Sequence, residues 1–421
     1  MTRQRTDPHW QPEHDSNRAL LRGSETMQTS FDTTRGGTRL LFDTVSGITT
    51  TVERMHEKIA GTALPWPVPE RGAHGTIAAA VYRVIRGVNG GLRQGVDWSF
   101  DRVPASLRAA SDSAAELRAV AALNGVCGDY LEASGNPLAI PMQLRSPQQR
   151  LSPGRAALRQ ALPEASPHVV VLVHGLCLSE LCWRRKGNTS VGERLRDDFN
   201  FTPLYLRYNT GRHISTNGRE LAALLEQLCS NWPVPVKTLS LVGHSMGGLV
   251  IRSACQYAQR EEKTWPQALK RVVCLGTPHH GSPLERAGHA FDQAMKYVPY
   301  AEPMRFGKLR SVGIKDLRHG NLLDEDWQGH DPDTPRPDSR QVVPLMEGVD
   351  YYFAAANMGK HQFDPMGHLL GDLLVRADSA VGLHRDELKR LAIKPEHCRV
   401  FHEKNHFDLL DDPQVHQQII D

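Results

Sequence analysis

The sequence predicts an α/β fold: a mainly parallel sheet with helices on both faces. Three observations point to it. Short apolar, β-branched runs such as "HVVVLVHG", "KTLSLVGHS" and "RVVCLGTPHHGS" recur from about residue 168. Amphipathic stretches such as "NGRELAALLEQLCSNW" and "MGGLVIRSACQYAQR" separate them. The strands read as continuous apolar runs rather than alternating ones, the pattern of strands covered on both sides.

The order along the chain follows from the same signals. Residues 1–40 are polar and aperiodic and are expected to form a disordered arm. Residues 41–150 are expected to be a helical extension. Phe42, Val45, Ile48, Val52, Met55 and Ile59 recur at steps of three and four, as do Ile77, Val81, Val84, Ile85, Val88 and Leu92. "LPWPVPERG" breaks the first helix from the second, and "SLRAASDSAAELRAVAALNGV" is a third. Their apolar faces could pack on the rest of the protein or reach a membrane surface peripherally. The α/β domain is expected at 151–421, with "FTPLYLRY" its second strand and "GVDYYFAAAN" and "HCRVFHE" its last two. Residues 283–347 are long, polar and Pro-containing, and interrupt the rhythm as a lid-like insertion.

Bulk properties remove several functions. Fifty basic against 47 acidic residues leave a net charge of +3, without the basic excess of a nucleic-acid binder. No apolar run approaches the ~18 residues that a membrane-spanning helix needs. The first residues lack the apolar segment of a secretory signal. Seven scattered cysteines with no C-x-x-C fit reduced thiols and a cytoplasmic protein, peripheral to a membrane at most. Cys177 and Cys182 are the pair that an oxidising site could bridge.

The strongest local signal is "LVGHSMGG", a G-x-S-x-G at Gly243, His244, Ser245, Met246 and Gly247. It follows a strand and precedes a helix. A serine there sits on a tight turn with its hydroxyl above the sheet edge. Gly243 and Gly247 leave room for close backbone passage, and Gly248 lets the helix pack near neighbouring strands. The helix N-terminus supplies Met246 N–H to a developing oxyanion. A second donor is expected after an earlier strand, where His174 and Gly175 precede Leu176; His174 reads as a hydrogen-bonding turn residue. "GTPHHGSPL", with Thr277 and His279, reads as a turn shaping the site's rim.

"VHG", "GHSMGG" and "GTPHHGS", in this order at strand ends, resemble the α/β-hydrolase lipases and esterases over about residues 168–421. The likeness is to the bacterial triacylglycerol lipase group and its relatives, including the α/β domain of GPI inositol-deacylases. It implies an α/β-hydrolase fold, a Ser-Asp-His triad, an acyl ester or lipid substrate and no cofactor. The order Ser, acid, His places the acid in "GDLLVRADSA". Asp372 is expected there with Ser379 trailing it, although Leu373 stands where the family often has Gly; Asp364 and Asp378 are rivals. The base is expected at His406, in "NHFDLL". Asp408 matches a position that binds structural calcium in some lipases, but no partner ligand accompanies it, and no metal site is expected.

"HEKNH", residues 402–406, also fits the zinc-protease pattern. That chemistry needs both histidines on one helix, and "HCRVF" reads as a strand. The same triad would also serve an acyltransferase or a thioesterase, and the same fold a non-catalytic binding protein.

Overall fold

The computed structural model describes residues 33–41, 43, 90–91, 93–94, 97, 114–184, 189–282, 310–331, 338–359, 375 and 377–420. The chain divides into two compact units, Met1–Ser111 and Asp112–Asp421. In the first, residues 33–41 are helical. Arg39 pairs with Asp97 at 2.6 Å and Arg35 with the same carboxylate at 3.3 Å. Residues 33–40 of the arm expected to be disordered over 1–40 are thus helical; the rest of that arm, and most of the two helices expected within 42–96, lie outside the described residues.

The second unit is built on a seven-stranded sheet. Its strands are β1 (Gln143–Arg145), β2 (His168–Val173), β3 (Phe201–Arg207), β4 (Thr238–His244), β5 (Leu269–Leu275), β6 (Asp350–Asn357) and β7 (Cys398–His402). Their order is β1-β3-β2-β4-β5-β6-β7. All neighbours run parallel except β1, which pairs antiparallel with β3 at one edge. The sheet therefore starts ahead of the boundary expected at residue 151. Three residues of "QLR" are too short for a periodicity signal; pairing with β3, not local pattern, makes them a strand.

Among the described residues, eight helices accompany the sheet: α1 (Ala114–Ala133), α2 (Arg155–Ala161), α3 (Val191–Phe199), α4 (Ile214–Asn231), α5 (Met246–Arg260), α6 (Val312–His319), α7 (Ala377–Ala380) and α8 (Pro413–Ile420). The pleat of β2 sorts the two cores. Val169, Val171 and Val173 point into the layer made by α4 and α5, with Leu221, Leu225, Leu249 and Val250. Val170 and Leu172 point into the opposite layer, with Val191 and Leu195 of α3 and Val415 of α8. Every residue from Val169 to Val173 is fully buried, which is why "VVVLV" reads without alternation. Each such side chain contributes roughly 1.5–3 kcal/mol of burial.

Strong local signals set the helix ends. Ser190 caps α3 and exchanges hydrogen bonds with Glu193, a reciprocal capping box. Asn200 ends α3 in the left-handed region that turns the chain into β3. The polar segment between β2 and β3 holds a short 3-10 turn at Glu180–Trp183 and then α3. Glu180 is drawn back to the sheet edge by Arg207, whose Nε donates to Oε2 at 2.8 Å, and by Arg145 at 3.3 Å.

Of the expected insertion, residues 283–309 and 332–337 lie outside the described residues. The described part forms α6, whose Asp316 accepts from His213 Nδ1 at 2.8 Å and from Ile214 N at 3.0 Å at the start of α4. No helix among the described residues is long and apolar enough to cross a membrane. All seven cysteines, Cys177 and Cys182 included, are free thiols.

Candidate active site

β4 delivers Ser245 to the carboxyl edge of the sheet. Its backbone has φ 55° and ψ −123°, a conformation that costs a non-glycine residue about 1–3 kcal/mol. α5 begins at the next residue. The flanking glycines are required by close approach: a Cβ on Gly247 would lie 2.3 Å from the Val173 carbonyl, and one on Gly243 2.6 Å from Gly248 N. Gly248 in turn passes the buried Thr277, whose Oγ1 would be 2.1 Å from an added Cβ. The turn is tied to the next strand by Ser245 N, which donates to Leu275 O at 2.8 Å. Met246 N–H, at the first helical position, has no partner available within α5.

The loop after β2 lies directly against this turn. An added Cβ on Gly175 would approach Ser245 Cβ to 2.9 Å. His174 is fully buried, donates from Nδ1 to Gly175 O at 3.0 Å and stacks on Tyr208 with ring centroids 4.5 Å apart. Tyr208 OH donates to His174 O at 2.8 Å. Burial pushes the His174 imidazole down to about 4, so it is neutral at pH 7, as a structural turn residue requires. Leu176 follows, half-buried.

Cys177, next to Leu176, holds φ 60°. Its N–H donates to Thr210 Oγ1 at 3.2 Å. Its backbone and sulfur lie against Gly125 of α1, where a Cβ would meet Cys177 Sγ at 2.3 Å and Cα at 2.9 Å. α1 is kinked at Cys127, with φ −142° and ψ 27°. The kinked segment is bonded on both sides. Asn209 Nδ2 donates to Gly128 O at 2.8 Å, and Ser311 Oγ to Gly125 O at 2.6 Å. An element outside the sheet thus sets the conformation of the loop beside Ser245. Sequence reading finds α1 as a helix but not this contact; the paired glycines of "NGVCGD" are its one available signal.

His406 approaches from the other side. β7 stops at His402, and Glu403 turns the chain with φ 56°. Asn405 and Asp408 close a reciprocal turn: Asn405 N donates to Asp408 Oδ2 at 2.9 Å, and Phe407 N to Asn405 Oδ1 at 2.9 Å. Asp408 is thereby occupied as a loop carboxylate. The turn buries His406 to 2% exposure and sets its ring beside Gly276, where an added Cβ would lie 2.9 Å from Cε1 and 3.0 Å from Nδ1. Gly276 has φ 60°. His244, one residue before the serine, donates from Nε2 to His406 O at 3.1 Å, with ring centroids 4.7 Å apart. Ser245 and His406 therefore both border the Leu275–Gly276 peptide. "HEKNH" is strand end and turn, not the helix on which zinc-binding histidines would align. Among the described residues no group of three or more His, Cys, Asp and Glu could hold a metal ion.

Asp372 and its rival Asp364 lie outside the described residues. Asp378 is exposed on α7. Ser379, expected to trail the acid, is buried. Its Oγ accepts from His280 N at 3.1 Å and donates to Gly281 O at 3.1 Å, stitching this region to the turn after β5. In that turn His279 is buried, its ring 4.2 Å from that of Phe353.

One family comparison agrees with this architecture. Residues 164–347 match the family model of the PGAP1-like alpha/beta domain. The match holds Ser245 and ends before β6, β7 and His406. No curated protein matches the chain. Among solved structures, the mature lipase BlEst2 of Bacillus licheniformis is 19% identical, with 61% of this chain and 92% of that one covered and a TM-score of 0.37. An esterase of Pyrococcus furiosus is 13% identical over 61% and 83%, with a TM-score of 0.33. Alpha/beta hydrolase domain-containing protein 10 from mouse is 11% identical over 61% and 88%, at 0.35. Those scores are low, and the fold stands on the strand order and the family match.

Proposed function

Proceeding from an α/β-hydrolase domain related to the PGAP1-like alpha/beta family, we propose that this chain is a serine carboxylic-ester hydrolase. The observation that carries the reading is the convergence on one peptide. Ser245, in a strained turn at a helix N-terminus, and the buried His406 both border Leu275–Gly276.

In this reading Ser245 Oγ attacks the carbonyl carbon of an acyl ester while His406 takes its proton. The carbonyl π pair moves to oxygen, and the N–H groups of Leu176 and Met246 stabilise the anion. The tetrahedral intermediate collapses, the C–O bond to the alcohol breaks, and His406 returns the proton to the departing oxygen. Water, deprotonated by the same imidazole, then attacks the acyl-enzyme and releases the acid. Asp372 is the proposed carboxylate that orients His406 and stabilises its cationic form. The positive end of α5 adds to the stabilisation at Ser245.

The test is hydrolysis of p-nitrophenyl esters of two to twelve carbons. Wild type should turn over at least one of them, and His406→Ala should lose about 10³-fold or more in kcat. Equal rates for the two proteins would remove His406 from the mechanism.

A further inference from the structure

A second site stands apart from Ser245, on the α5 side of the sheet. A cavity of about 440 Å³ is bounded by α5, the turn after β5, and the segments that lead into β6 and β7. Part of its wall is apolar, with Leu322, Val343, Met346, Leu391 and Ile393. Two exposed side chains, Val342 and Leu388, border it.

The cavity's charge is unbalanced in one place. Arg252 of α5 lines it and is 4% exposed. Its Nη2 donates to Val343 O at 2.7 Å and its Nη1 to His279 Nδ1 at 3.4 Å. Neither acceptor carries charge, and Nε has no partner among the described residues. A buried guanidinium ordinarily has a carboxylate against it, because desolvating an unpaired charge costs several kcal/mol. Burial already pushes Arg252 down to about 10, and it stays cationic at pH 7. His279, accepting at Nδ1, carries its proton on Nε2, and that buried N–H also lacks a partner among the described residues. One buried positive charge in this lining thus has no carboxylate against it among the described residues.

The cavity's other charged groups do not supply one. Asp326 accepts from Leu322 N, Leu323 N and Gln341 N at 2.8–3.0 Å. Asp338, outside the lining, is bound by Arg340 at 2.8 Å and Lys389 at 3.1 Å. Glu347 and Asp350 are exposed.

We propose that this cavity binds an anion with an apolar tail, its oxyanion head drawn to the charge of the Arg252 guanidinium and its alkyl chain lying along Leu391 and Ile393. The chemistry is shared by alkyl carboxylates and alkyl phosphates. It stands independently of any reaction at Ser245.

Calorimetric titration of the full chain with octanoate, octyl phosphate, 1-octanol and inorganic phosphate tests it. At least one octyl anion should bind at a single site, with octanol and inorganic phosphate each weaker by about tenfold or more. The tighter of the two octyl anions identifies the headgroup. Arg252→Met should weaken that binding by about tenfold or more. Should this variant fail to fold, Ile393→Trp, at a half-buried wall position, decides: its far-ultraviolet circular dichroism should match wild type and its binding should be lost. No saturable binding, octanol binding as tightly as the anions, or unchanged affinity in folded Ile393→Trp would each overturn the proposal.

Discussion

Gly276 and His406 share one small space: an added Cβ at 276 would stand 2.9 Å from His406 Cε1, closer than carbon atoms approach in folded proteins. The left-handed φ of 60° and this contact both require glycine. Gly276→Ala should therefore move the imidazole while leaving the sheet intact. Displacing a general base by about 1 Å costs on the order of 10²-fold in rate. We expect kcat on a p-nitrophenyl ester to fall by about that factor with a nearly unchanged KM. A rate within twofold of wild type would show that His406 does not work from this position.

The loop that carries Leu176 is held by a helix that precedes the family-matched residues. Gly125→Ala would press α1 against the Cα, N and Sγ of Cys177, shifting the neighbouring Leu176 N–H. Losing one oxyanion donor costs about 10²–10³-fold in kcat, and a shifted one should cost about tenfold or more. Steady-state kinetics with a folded Gly125→Ala protein checks this. The loss should appear in kcat rather than KM, since the donor acts on the transition state. A pure KM effect would place α1 in substrate binding instead.

Stability should fall as the solution is acidified through the histidine range. Burial, only partly offset by the hydrogen bond to Gly175, lowers His174 from 6.5 to about 4. The unfolded chain thus takes up a proton below about pH 6.5 that the folded chain refuses until about pH 4. The contribution is complete above pH 6.5 and is lost as pH falls toward 4. For a single such histidine the loss between pH 7 and pH 5 is about 2 kcal/mol. Urea denaturation at the two pH values measures it, and His174→Asn should flatten the dependence. Equal wild-type midpoints at pH 7 and pH 5 would contradict a buried neutral His174.

Glu403 separates the triad reading from zinc chemistry. It turns the chain after β7 with φ 56°. Glu403→Gln should keep most of the activity, and Glu403→Gly should stabilise the fold by up to about 1 kcal/mol by relieving the left-handed strain. Thermal unfolding and ester hydrolysis of the two variants check both statements. Activity lost in Glu403→Gln to the extent expected of His406→Ala would return Glu403 to the chemistry.

Most of the sheet could be read from sequence because β2 to β6 are largely apolar runs whose pattern follows from burial on both faces. "MGGLVIRSACQYAQR" coincides with α5 because Ser245 ends the strand and the apolar spacing begins at once. β1 could not be read, since only its pairing with β3 makes it a strand. The site divides in the same way. Gly243, Ser245 and Gly247 carry a local steric requirement, and local sequence records it. The hold of α1 on Cys177, the stack of His174 on Tyr208 and the contact of Gly276 with His406 join residues distant in the chain. No local pattern encodes such contacts, and Arg252 likewise looks like an ordinary basic position on α5 until its burial is known.

Covalent labelling at Ser245 tests the central claim most directly. A fluorophosphonate reacts with a serine hydroxyl whose proton a neighbouring base removes, forming a P–O bond as fluoride leaves. Wild type should incorporate one probe per chain, and Ser245→Ala should incorporate none. Equal labelling of both proteins, or none of either, would contradict the assignment of Ser245 as the nucleophile.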